Sequence, residues 1–94
     1  MGSSFRTRGG EVDIIAWEGD VLVFVEVKAL RSAAPPEDAV GSRKQGRIIR
    51  AAQAYISRRR LQDAACRFDV LAVTVMKGCR PEFRLLRDAF RMYN

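Results

Sequence analysis

The sequence predicts a mixed α/β domain, a β-sheet with helical cover, and three observations lead there. Two apolar segments, EVDIIAW (Glu11 to Trp17) and VLVFVEVKAL (Val21 to Leu30), are separated by little more than the turn-forming Glu18-Gly19-Asp20. A segment opening at Ser42 carries apolar residues at helical spacing, and CRFDVLAVTVM (Cys66 to Met76) alternates like a strand. A chain of 94 residues has room for one domain, 1–94, around one modest core. Its 48% apolar and 30% charged residues argue against disorder. No apolar run approaches the ~20 residues needed to cross a bilayer. The opening MGSSFRTRGG has no apolar stretch of the kind a secretion signal needs. Two cysteines, Cys66 and Cys79, suit free thiols and small apolar fillers better than a disulfide framework. A cytoplasmic protein is therefore expected.

Taken in order, residues 1–10 are polar and glycine-containing and read as an irregular lead-in. The two apolar segments form a hairpin, with Gly19 supplying the tight turn. Residues 31–41 contain Pro35 and Pro36, which forbid a helix interior or central strand, and read as a mobile loop. The pattern Ser42-Arg43-Lys44-Gln45 has the Ser-x-x-Gln form of a capping box and starts a helix running to about Arg60. On it Ile48, Ile49, Ala52, Tyr55 and Ile56 share one face, which should pack on the sheet. The third strand follows, then EFRLLRDAF, whose type the pattern leaves open. Trp17 and Tyr55 are expected in the core rather than as platforms for stacked bases.

The hairpin brings charges together. With Gly19-Asp20 as a two-residue turn, Glu18 pairs with Val21, and the same register sets Asp13 opposite Glu26 and Glu11 opposite Lys28. Directly opposed residues share a face, with β-carbons roughly 4.5–5.5 Å apart. Ile15, Phe24, Trp17 and Leu22 continue that face, while Val12, Val27, Ile14, Val25, Ala16 and Val23 make the other wholly apolar. A sheet covered on both sides thus gathers three carboxylates and one ammonium at one end. Opposed carboxylates repel, and a divalent cation between them removes the conflict. The plainer reading is a surface ion pair between Lys28 and Glu11 or Glu26. The chain has no histidine, so a metal would sit on oxygen. Mg²⁺ or Mn²⁺ suits such ligands, keeps several waters and bridges carboxylates to phosphate. A neighbouring lysine can stabilise the charge that develops on the phosphorus oxygens.

A net charge of +6 fits a polyanionic partner. Arg43, Arg47, Arg50 and Arg58 cluster on the helix face opposite its apolar stripe, and Lys44 adds to them. A solvated face is the usual meaning of such a pattern, but no acidic residue intervenes before Asp63. Phosphate contacts to DNA, independent of sequence, are the sharper expectation. Gln45 is ambiguous between a capping residue, the favoured role, and an accessory group behind the carboxylates. Asp69 is expected to pair with a nearby arginine.

The segments GEVDIIAWEGDVLVFVEVKAL, RKQGRIIRAAQAYI and CRFDVLAV resemble the bacterial YraN family, over about Phe5 to Phe90. That family belongs with the PD-(D/E)XK endonucleases and is similar to Holliday junction resolvases. The resemblance implies a restriction-endonuclease-like fold, a mixed sheet flanked by helices. It implies Asp13 and Glu26 as metal ligands, the Val27 carbonyl as a further ligand, and Lys28 as the catalytic lysine, with Glu11 and Gln45 as accessory candidates. The expected function is Mg²⁺- or Mn²⁺-dependent hydrolysis of DNA, including structured or branched DNA. A non-catalytic nucleic-acid-binding module and a protein-interaction subunit are the alternatives. The family's opening helix, with its glutamate, has no counterpart ahead of RTRGGE. Met-Gly-Ser-Ser looks like a remnant of expression, or else the chain is a shortened member. The expectation is weak cleavage by this chain, and an uncovered sheet flank that favours a homodimer.

Overall fold

In the computed structural model, which describes residues 3–7, 10–31 and 40–92 (the first of these stretches by its backbone alone), five strands form one sheet with one helix against it. The strands are β1 (Ser3–Thr7), β2 (Gly10–Glu18), β3 (Val21–Leu30), β4 (Ala65–Thr74) and β5 (Glu82–Phe90), and they lie side by side in chain order. The helix, α1, spans Ser42–Arg59. Only β3 and β4 are parallel, because α1 carries the chain back between them. The mixed α/β class is as the sequence predicts. The irregular lead-in is not: Ser3–Thr7 pairs antiparallel with β2, where the strand supplies main-chain partners that composition does not reveal. EFRLLRDAF is a strand, and among the described residues one helix, not several, flanks the sheet.

The hairpin register holds from Glu18 opposite Val21 to Ile14 opposite Val25, and Gly19 takes the left-handed φ of 58° that the turn requires. Beyond Ile14 the ladder opens. On the other side of β2, Ser3 faces Ile15 but Phe5 faces Val12, so β2 carries an extra residue there. A bulge of this kind re-aims the side chains that follow it. Val12 is accordingly buried in the same core as Ile15, on the helix side, and not on the opposite face where strict alternation puts it.

That core joins Val12, Ile15, Leu22 and Phe24 to Phe68 and Val70 of β4 and to Ile48, Ala51 and Ala52 of α1. Phe24, Phe68 and Phe90 stack across three strands at centroid distances of 5.4 and 5.0 Å, and Tyr55 meets Phe24 edge-on at 6.1 Å. Trp17, at the end of the hairpin, is half exposed rather than core, and Cys66 and Cys79 are exposed free thiols rather than fillers. Residues 32–39, most of the expected mobile loop, lie outside the described residues; Val40, at its end, is buried in the core.

One close approach fixes α1 against β2, and one hydrogen bond ties the helix start to Val40. Gly10 is buried beneath the helix, and a β-carbon there would sit 2.0 Å from the carbonyl oxygen of Arg47. Only a glycine allows that approach. The capping box does not form. Gly41, not Ser42, is the cap residue, no side chain caps the helix, and Gln45 Nε2 instead donates to the Val40 carbonyl at 3.0 Å. Gln45 therefore ties the helix start to the buried Val40.

Candidate functional site

The site grows from the point where β2 and β3 part. A β3 amide that would otherwise find a β2 carbonyl finds a side chain: the Val27 N–H donates to Asp13 Oδ2 at 2.9 Å. The N–H and C=O of one strand residue point to the same edge, so the Val27 carbonyl faces this gap as well. Asp13 and Glu26 are not an opposed pair of the ladder, yet their carboxyl groups are hydrogen-bonded to each other. The main-chain register expected from the turn is lost there, and the side-chain encounter survives.

Glu26 is only 3% exposed. Burial, then its hydrogen bond to Asp13, push its carboxyl up to about 7, against the opposing pull of Lys44. Asp13 moves the other way. Burial works against its ionised form, but the hydrogen bonds from Glu26 and the Val27 amide, with the charge of Lys44, hold it below the ordinary carboxylate value. Near neutral pH the two carboxyls behave as a dyad in which Asp13 is ionised and Glu26 carries the more readily held proton.

The cation seated on Glu26 is Lys44 and not Lys28: Lys44 Nζ lies 2.7 Å from Glu26 Oε2. Sequence reasoning placed Lys44 among phosphate contacts. The sign that could have found it is its place in the first turn of a helix with no acidic residue there, where the helix dipole disfavours a cation. A small cavity of about 90 Å³ opens beside the pair, lined by Glu11, Glu26, Lys44, Arg47 and Ile48. Glu11 is exposed at its rim, and Lys28 is half-buried one residue beyond Val27 on β3, opposite Ala72 of β4. Among the described residues no third Asp, Glu, His or Cys side chain joins Asp13 and Glu26 to complete a protein cage. Two carboxylates beside an open edge fit a hard cation that retains most of its water, the habit of Mg²⁺.

Arg43, Arg47, Arg50 and Arg58 are all exposed on α1, as the helical spacing predicts. Arg59 lies over the Tyr55 ring at 5.0 Å. Asp69 stands apart from the carboxylate pair. It is buried and held in a fork by Arg67 at 2.9 and 3.1 Å, and it accepts the Asp88 N–H at 2.9 Å. Arg67 and Arg87 both reach Glu18, at 3.2 and 2.6 Å. This network belongs to the sheet: it fills the irregular pairing where Asp88 adopts a φ of 54°.

A small mixed α/β domain with a buried Glu26 beside a half-buried Asp13, where β2 and β3 part, is the class the structure defines. The model of the uncharacterised protein family UPF0102 matches residues 1–73, and the chain belongs to that family. It is similar to a UPF0102 protein of Geobacter sulfurreducens, 44% identical over 91 residues, which span 95% of this chain and 71% of the relative. A UPF0102 protein of Syntrophus aciditrophicus is 47% identical over 92 residues, with the same coverage. One from Syntrophotalea carbinolica is 50% identical over 72 residues, 74% of this chain and 58% of the relative. No helix among the described residues is long and apolar enough to cross a membrane.

Proposed function

We propose that this chain carries the site of a metal-dependent nuclease of the PD-(D/E)XK kind, hydrolysing DNA phosphodiesters. The observation that carries the reading is the hydrogen-bonded pair of Asp13 and buried Glu26 at the gap faced by the Val27 carbonyl. A buried carboxyl raised to about 7 beside an ionised one is costly for stability and useful for function. Asp13, Glu26 and the Val27 carbonyl would hold Mg²⁺ or Mn²⁺. When bound, the ion polarises a phosphoryl oxygen and acidifies a water. The remaining work falls to the chain. Asp13, oriented by the Val27 amide, keeps its charge across the neutral range. Glu26 gives up its proton as the site loads. Lys28 follows on β3 and stabilises negative charge on the phosphate. Arg43, Arg47 and Arg50 line the approach and bind backbone phosphates without reading sequence.

The test is a cleavage panel. Branched, flapped, duplex and single-stranded DNA are incubated with the chain, and with a longer family member, in Mg²⁺, in Mn²⁺ and in EDTA. Nicking that requires the metal is the expected result. DNA binding with no nicking in either metal would favour the non-catalytic binding module, which the exposed arginines of α1 also support.

A further inference from the structure

Lys44 needs a reason to be where it is. It occupies the first turn of α1, where main-chain N–H groups and the helix dipole already supply positive charge and no acidic residue offsets them. Its ammonium nevertheless sits 2.7 Å from a glutamate oxygen that is almost wholly buried, while the lysine side chain itself is 45% exposed. The pairing is thus one-sided. Glu26 is fixed in the sheet, and Lys44 reaches it beside a small cavity that both line together with Arg47. A lysine is a point charge on a flexible stem, suited to leaving such a contact. A divalent cation and the Lys44 ammonium would compete for the same Glu26 carboxylate.

We propose that Lys44 is a resident counter-ion, displaced from Glu26 by the divalent cation and then free to contact a phosphate of the bound DNA. The inference rests on the metal-site reading above and deepens it. Lys44 sets how tightly the site binds metal and couples metal occupancy to substrate binding, a coupling that is reciprocal by linkage. It is a positioning residue: its effect on the metal passes through Glu26.

Two measurements test this without relying on turnover. Mn²⁺ binding, read from the electron paramagnetic resonance signal of the free ion, should be about 5- to 10-fold tighter in Lys44→Gln than in wild type, the scale of one net hydrogen bond. Gln retains an N–H donor toward Glu26, which protects the fold. Glu26→Gln should abolish Mn²⁺ binding, and this arm reports on the metal site itself. Equal Mn²⁺ affinity in wild type and Lys44→Gln, with loss in Glu26→Gln, overturns the role of Lys44 and leaves the metal site standing. No Mn²⁺ binding by either protein overturns both. In the second measurement, the slope of log DNA affinity against log salt should be the same for wild type and Lys44→Gln without metal. In saturating Ca²⁺ the two should differ by about 1, one phosphate contact. A difference that is the same with and without Ca²⁺ overturns the release. Should Lys44→Gln not fold, the Lys44 Nζ resonance of the wild type must move on titration with Mg²⁺, and a fixed resonance is the contrary result.

Discussion

At the scale of single residues, Glu26 explains why a run built for burial contains a carboxyl. It is buried, and its proton is held up to about 7 by that burial and by Asp13. The sign of the consequence is definite. Between the unfolded value of 4.5 and about 7 the folded protein holds a proton that the unfolded chain releases, so stability falls as pH rises through that window. Asp13, held below 3.8, contributes with the opposite sign and only at lower pH. Urea titrations of wild type and Glu26→Gln should therefore diverge with pH. The variant should gain on the order of 2–3 kcal/mol relative to wild type between pH 4.5 and 7; parallel curves would show that Glu26 ionises normally. Lys28 makes a second prediction. Since Glu26 already has Lys44, Lys28→Met should cost little stability and leave DNA affinity unchanged, while single-turnover cleavage falls by ~10²–10³-fold. Wild-type cleavage in that variant would return Lys28 to a structural role. The meeting of Asp13 and Glu26 was legible only in part: the two-residue turn fixes the register as far as Ile14 opposite Val25, and the ladder opens before the two carboxyls. The place of Lys44 was not, because it depends on how the helix sits, and Asp69 could be assigned only a generic arginine before Arg67 was seen to fork it.

Elements place these residues. Helix α1 was legible from its start at Ser42 to its last turn from the spacing of Ile48, Ala52, Tyr55 and Ile56, but its cap was misread, since a Ser-x-x-Gln pattern is cheap and Gly41 caps instead. Nor could periodicity show the bulge in β2, which brings Val12 to the core and opens the ladder at Asp13. Gly10 is what lets α1 approach closely enough for Lys44 to reach Glu26. Gly10→Ala must push the Arg47 carbonyl away, and thermal or urea unfolding should show a loss of roughly 1–3 kcal/mol; an unchanged stability would mean the helix shifts without resistance. The arginine face makes an independent prediction. Replacing Arg43, Arg47 and Arg50 together with Ala should weaken binding to all DNA sequences alike, lowering the salt slope by about 1 for each lost contact. An unchanged slope would move DNA to another surface.

For the whole molecule, the described residues cover the sheet on one side. The other face carries Val25, Val27 and Leu71, half-buried, and continues into Phe83 and Leu85, opposite Val73 and Leu71 and exposed by 67% and 54%. A parallel pair such as β3 and β4 is ordinarily covered on both faces. Association of two copies through this face is the expected outcome in sedimentation, and Leu85→Lys should shift the chain toward monomer. The mixed α/β class was legible from three alternating segments and one helical one, whereas β1 and β5 became strands only through their partners. The proposed role of Asp13 and Glu26 is a metal centre for DNA cleavage. It is tested most directly by comparing Mg²⁺-dependent nicking and DNA binding in wild type, Asp13→Asn and Glu26→Gln, made in the longer family member if this chain cleaves too slowly. The prediction is that both variants still bind DNA, through the α1 arginines, and lose nicking by at least ~10²-fold. Nicking at the wild-type rate in either variant would contradict it.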